Sequence, residues 1–309
     1  AYFSATSHEL VYLPSGSEGR TERVQADRTG KRLGTIAPPG FYFSPRLSPD
    51  GKRVASDMSD TKGNGDIWIW DVSGTGGARF SFEPENESGP VWSPDGSQIA
   101  YMYGMQTPYI LKKQVNGGEA QPLLKELKWQ FPGDWSADGK TLLVAGSAKD
   151  SGAPNVFAYS LPDHRITPLV GTSNEWATAP RFSPDGHWLT YLTLNESGHS
   201  IVYVQPFPPN GSKWQVWSEE GFGPVFSRDG HSLFFVSGDG KLMQTAISTT
   251  GGFSAQTPQA LFPVRLRENG GATAQYDVLP DGSFVLNAIP DNASSPMTLV
   301  VNWREALAR

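Results

Sequence analysis

The sequence predicts an all-β chain, a closed β-propeller of four-stranded antiparallel blades. Three observations predict it: a turn tetrapeptide that recurs about every 44 residues, apolar strand segments at fixed offsets from that turn, and a turn-rich, aromatic composition. The 309 residues include 34 Gly, 25 Pro, 10 Trp, 10 Tyr and 16 Phe. A chain of long helices would instead be rich in Ala, Leu, Glu and Lys and poor in Gly and Pro.

The turn is Ser48-Pro49-Asp50-Gly51, repeated as Ser93-Pro94-Asp95-Gly96, Ser136-Ala137-Asp138-Gly139, Ser183-Pro184-Asp185-Gly186, Ser227-Arg228-Asp229-Gly230 and Leu279-Pro280-Asp281-Gly282. The Asp-to-Asp steps are 45, 43, 47, 44 and 52 residues. Pro presets φ for the first corner, Asp bonds back to nearby backbone, and Gly takes the left-handed position. An eroded copy, Phe3-Ser4-Ala5-Thr6-Ser7, precedes them with Thr6 44 residues before Asp50. Counting it gives seven blades in a single domain over 1–309; leaving it out gives six, the alternative.

Strands follow from the flanks. Three residues after each turn Gly stands an apolar residue: Val54, Ile99, Leu142, Leu189, Leu233 and Val285. Apolar neighbours fit a strand covered on both faces. A third strand follows at residues 67–70, 109–111, 156–159, 201–204 and 242–243, then a Gly- or Pro-rich turn. A fourth strand leads onward at residues 78–82, 122–124, 167–170, 214–217 and 261–262. Four short strands per repeat are the mark of a propeller. The last repeat stops after its third strand at residues 297–303, so residues 1–4 are expected to close the ring as its missing strand.

These repeats resemble the TolB-like, WD-repeat-like propeller family. The order Arg46-Leu-Ser-Pro-Asp-Gly, Asp66-Ile-Trp-Ile-Trp-Asp, Pro90-Val-Trp-Ser-Pro-Asp-Gly and the tail Pro296-Met-Thr-Leu-Val-Val-Asn-Trp also resemble the C-terminal propeller of large bacterial receptor-type serine/threonine kinases. That likeness implies a periplasmic or extracytoplasmic, non-catalytic module that senses a ligand or docks a protein. The alternative is a propeller attached to a peptidase or another hydrolase. The chain opens on Ala1-Tyr2-Phe3 and is read as a mature or excised piece, a monomeric domain of a larger protein.

Composition limits the chemistry. A net charge of −6 and a pI near 5.4 argue against nucleic acid as the main partner. Without cysteine there is no disulfide, thiolate metal site or thiol nucleophile. No apolar run is long enough to span a membrane. His187 and His231 follow a turn Gly, and no two histidines have metal-ligand spacing. There is no Gly-x-Ser-x-Gly elbow. The recurring aspartates do one turn job per repeat. Neither a catalytic residue, a metal site nor a cofactor is expected. Asp57, Asp60, Asn64 and Asp66 around Gly63 and Gly65 leave two readings open, a calcium loop or a solvated hairpin.

The remaining signal is aromatic. The loops entering each first strand carry Tyr42, Trp129, Phe131, Trp176 and Phe222, with Glu175 and Glu220 beside them. These loops gather at one mouth of the channel, where rigid rings beside carboxylates suit a protein, peptide or small-molecule ligand. The competing reading packs the same rings between blades.

Overall fold

The computed structural model describes residues 3–6, 9–12, 20–148, 153–170, 176–267, 273–290, 298–301 and 303. Its strands are antiparallel and short. Blade one is the second half of Arg32–Leu47, then Arg53–Ser59, Gly65–Asp71 and Gly77–Arg79. Blade two is Glu87–Trp92, Gln98–Tyr103, Tyr109–Gln114 and Gln121–Leu124. Blade three is Trp129–Trp135, Thr141–Ser147, Asn155–Ser160 and Arg165–Pro168. Blade four is Ala177–Phe182, Trp188–Leu194, Ser200–Pro206 and Trp214–Gln215. Blade five is Gly221–Phe226, Ser232–Ser237, Lys241–Ser248 and Gln259–Pro263.

Blade six draws on both ends of the sequence. Tyr276–Val278 and Phe284–Ala288 pair onward with Thr21–Ala26, which pairs with the first half of Arg32–Leu47. That long strand then passes into blade one. The first strands touch in order around blades one to six, and Tyr276–Val278 contacts Arg32–Leu47 again. Among the described residues this makes six four-stranded units. The Phe3 copy differs from expectation. Phe3–Ala5 pairs with Glu9–Tyr12, which pairs with Thr298–Val301, in a separate three-stranded sheet. Ala1 and Tyr2 lie outside the described residues, and the strand completing the last blade is Thr21–Ala26 rather than residues 1–4. The eroded copy still turns its chain back, with Thr6 N donating to Glu9 O at 2.8 Å, but its hairpin pairs with Thr298–Val301.

The core lies between blades. One apolar cluster joins each neighbouring pair: Val54 with Val285, Ala55 with Ile99, Ile110 with Leu142, Leu143 with Leu189, Val202 with Leu233, and Phe234 with Phe284. The six apolar residues that follow each turn Gly by three are all fully buried. They occupy second strands, which are covered on both faces.

The turns close as their chemistry dictates. Gly51 N donates to Ser48 O at 2.9 Å, with Gly51 at φ 70°. Ser48 Oγ donates to Asp50 Oδ1 at 2.5 Å, and the same carboxylate oxygen accepts Lys52 N–H at 3.1 Å. Ser93, Ser136, Ser183 and Ser227 repeat the bond to their own Asp. In the sixth copy Leu279 has no hydroxyl, and Ser283 Oγ donates to Asp281 Oδ1 at 2.6 Å instead. These aspartates are committed to their turns.

Candidate functional site

Each first strand of blades one to five carries a bulge. The register shifts between Phe43 and Arg46, Ser88 and Val91, Pro132 and Asp134, Thr178 and Arg181, and Phe222 and Val225. A proline sits at each: Pro45, Pro90, Pro132, Pro180 and Pro224. Lacking an N–H, proline is tolerated where the ladder is broken. In four of the five bulges the residue before it takes the left-handed conformation, at φ 63° and 56° for Gly89 and Gly223 and at φ 46° and 52° for Ser44 and Ala179. A bulge re-aims the side chain that follows it. Here those side chains are Arg46, Val91, Asp134, Arg181 and Val225, with Asp277 at the same position of blade six. Blades one to three thus read Arg-Val-Asp, and blades four to six read Arg-Val-Asp again.

All six line one cavity of about 300 Å³, at the mouth that carries the turns. Because every blade contributes, the cavity lies where the six first strands converge. Trp92, Trp135, Phe182 and Phe226 form apolar wall, and Arg228 stands at the rim. Further in, the channel narrows among Gly133, Pro180 and Pro224 to a void of about 10 Å³, room for roughly one water. The cavity is therefore a pit, entered from the turn side.

Its charges are unequal. Asp277 accepts Leu47 N–H at 2.8 Å and Val278 N–H at 3.0 Å. Asp134 accepts Phe182 N–H at 2.9 Å and Trp135 N–H at 3.0 Å. Both carboxylates thereby staple one blade to the next. Arg46 lies across the channel and donates to Gly133 O. Arg181 stands 4.0 Å from Asp277, and Arg228 reaches Ser48 O at 3.3 Å, past the intervening blade. Burial, with the guanidiniums of Arg181 and Arg228 facing it, pushes Arg46 down to about 9, while Asp134 and Asp277 act the other way. Three guanidiniums thus share one pit with two carboxylates already engaged by backbone.

The structure divides the residues expected to form a binding face. Tyr42 is 1% exposed, edge-on to Trp70 at 6.1 Å and capped by the Arg23 guanidinium at 4.4 Å. It is core, which corrects its reading as a channel-mouth ring. Phe131 stacks with half-buried Trp129 at 6.3 Å and fills the space above Gly89 of the neighbouring blade. Trp176 is half-buried against the cluster between blades four and five. Phe222 and Glu220 alone share a cavity, of about 370 Å³, with Val236, Leu266, Arg267 and Tyr276 at the other mouth. Glu175 lies outside the described residues. Rings entering a blade fill the widening gap between blades, so most are spent on packing.

The acidic loop does not converge. Asp57 is buried beside Ser44 and Arg23, and burial pushes it up to about 6. Asp60 accepts Lys62 and Asn64 N–H within its own turn. Asp66 pairs with Arg79 at 2.7 Å. Among the described residues no group of three His, Asp or Glu side chains is placed to hold a metal ion, and no helix is long and apolar enough to cross a membrane.

The pit residues escaped the sequence reading. Their signal was present: the residue two before each turn reads Arg, Val, Asp and then Arg, Val, Asp again along the six repeats. Arg228 was visible as the one turn residue that replaces proline with a charge.

Known proteins place the chain. The profile of the TolB β-propeller domain matches residues 1–166. An uncharacterized peptidase, YuxL of Bacillus subtilis, is 30% identical over 198 residues, covering 56% of this chain and 29% of its own length. The Tol-Pal system protein TolB of Francisella tularensis is 26% identical over 179 residues, covering 56% of this chain and 40% of that protein. The match therefore spans well under half of either relative. Among solved structures, a putative TolB from Agrobacterium tumefaciens superposes with a TM-score of 0.66 at 17% identity, covering 88% of this chain and 99% of that one. An oligogalacturonate lyase in complex with manganese superposes at 0.55 with 12% identity, covering 89% and 97%, a likeness of fold alone. With repeat, blade topology and profile in agreement over more than half its length, the chain belongs to the TolB β-propeller family.

Proposed function

We propose that the chain is a closed six-bladed ring and a non-catalytic docking module, which receives a protein or peptide partner in the turn-side pit. The observation that carries this reading is the pit itself. It is concave, walled by aromatic rings and lined by arginines, the residue types that dominate binding energy at protein interfaces. The repeated aspartates are held in turns, which leaves them no general acid or base role. The cyclic contacts of the first strands and the six inter-blade clusters support the ring.

Kinship with TolB proteins supports a place outside the cytoplasm. The match to the peptidase YuxL supports a second reading, in which this propeller serves a neighbouring peptidase domain. The coding sequence on either side of this segment decides between the two. Docking itself is tested by a photo-crosslinking amino acid placed at Pro49, Pro94 or Pro184 on the pit rim, with Met105 as the remote control. A discrete crosslinked species from the rim alone is expected in cells that make the protein. Equal crosslinking from Met105, or none from the rim, contradicts the reading.

A further inference from the structure

We propose that the turn-side pit binds the C-terminal carboxylate of a peptide whose last side chains are apolar. The inference rests on the docking reading and names the chemistry of what docks. Three features carry it.

The first is charge. Arg46, Arg181 and Arg228 converge on one cavity, while Asp134 and Asp277 already accept two backbone N–H groups each. Arg46 is buried, and burial first, then the like charges of Arg181 and Arg228, make its guanidinium costly to hold without a counter-anion. An anion between them offsets that cost. Arginine presents a planar fork of donors that matches a carboxylate.

The second is shape. The pit is closed at its inner end, where the channel narrows to about 10 Å³. An extended chain cannot thread it, but a chain end can enter. Its volume of about 300 Å³ lies at the small end of ligand cavities, which run from roughly 300 to 1,000 Å³. Its walls are Trp92, Trp135, Phe182 and Phe226, which match apolar side chains next to the charged end.

The third is Arg228. Four of the other five turns carry Pro at this position, and the third carries Ala. Arg228 is exposed and bends over the mouth to Ser48 O. It places an exposed guanidinium at the rim, where an entering carboxylate passes, while Arg46 and Arg181 lie deeper in the cavity.

The test is calorimetric titration of the purified chain with three probes: N-acetyl-Gly-Leu-Phe as the free acid, the same peptide as the amide, and N-acetyl-Glu-Leu-Phe-amide, whose carboxylate is internal. The free acid should bind at least about tenfold more tightly than either control, and its affinity should fall as salt is raised. Arg228→Pro restores the residue common to the other turns and should leave the melting temperature unchanged or higher while weakening the free acid about tenfold. Arg181→Ala should weaken it at least as much, and Arg181→Lys should recover only part, since lysine lacks the fork. Equal binding of acid and amide, equal binding of the internal glutamate, or full affinity in Arg228→Pro overturns the inference. Those results would leave docking to the rim-crosslinking test, which does not depend on the carboxylate.

Discussion

Arg23 Nε donates to Asn287 Oδ1 at 3.2 Å, a bond between strands 264 residues apart in sequence. The two strands are neighbours in blade six, where the early and late parts of the chain meet. Arg23 is fully buried, lies over the Tyr42 ring and is pushed down to about 10 by burial, against the pull of Tyr42 and Asp57. The seam between the early and late strands thus holds a buried cation stacked on a ring of the long strand that leads into blade one.

Arg23→Ala is expected to destabilise the protein by about 2 kcal/mol, because it leaves the buried Asn287 Oδ1 without its donor and opens a cavity beside the Tyr42 ring. Urea unfolding followed by tryptophan fluorescence measures this. A loss no larger than that of an exposed control such as Arg32→Ala would show that the seam does not depend on Arg23.

The bulges make an opposite-signed pair of predictions. Ala179 holds φ 52°, so Ala179→Gly should stabilise by roughly 0.5–1 kcal/mol. At Gly89 an added Cβ would lie 2.2 Å from the Phe131 ring, at φ 63° as well, so Gly89→Ala should destabilise by about 2 kcal/mol or more. Thermal unfolding of both variants checks the pair. Two changes of the same sign would contradict the bulge geometry.

What the sequence made legible was whatever repeats. The turn aspartates, the buried residues Val54 to Val285 and the third strands were all readable because each copy does the same job. What differs from copy to copy was harder. Tyr42 and Phe222 stand one residue apart in their repeats, yet Tyr42 is sealed under Arg23 and Phe222 lines a cavity. The difference lies in which neighbour faces them across the blade interface, and periodicity carries no information on that. The seam was misplaced for a related reason: Thr21–Ala26 has no turn motif of its own, and only its pairing with Phe284–Ala288 identifies it.

Glu87 gives a pH dependence. It is 1% exposed, and burial, with the carboxylates of Glu83 and Asp66 nearby, pushes it up to about 8 despite the Ser81 hydroxyl bond. The folded state therefore holds this proton more tightly than the unfolded chain does. Between the ordinary glutamate value near 4.5 and about 8, the native state binds more protons, so stability falls as pH rises through that window. Glu87→Gln should flatten the decline between about pH 6 and 8, above the range where the raised Asp57 contributes, and be more stable than the parent at pH 9. Chemical denaturation at pH 5, 7 and 9 tests it; parallel pH profiles for the two proteins would contradict it.

The turn aspartates act in the other direction. Hydrogen bonds from Ser93 and from Ser97 hold Asp95 down at about 2. Its contribution is fully present above the ordinary value of 3.8 and is lost as pH falls toward 2. Asp50, Asp138, Asp229 and Asp281 are lowered by the same serine bonds. Acid unfolding is expected to begin below about pH 4, and Ser93→Ala should move its midpoint upward. A midpoint unmoved by Ser93→Ala would detach the turns from acid stability.

The central claim is that binding takes place on the turn side of the ring. Fluorine NMR of the chain labelled with 5-fluorotryptophan tests it most directly, because Trp92 and Trp135 line the pit while Trp129 and Trp176 lie toward the other mouth. Titration with N-acetyl-Gly-Leu-Phe free acid should shift the Trp92 and Trp135 resonances and leave Trp129 and Trp176 in place. Shifts confined to Trp129 and Trp176 would put the site at the opposite mouth and contradict the account.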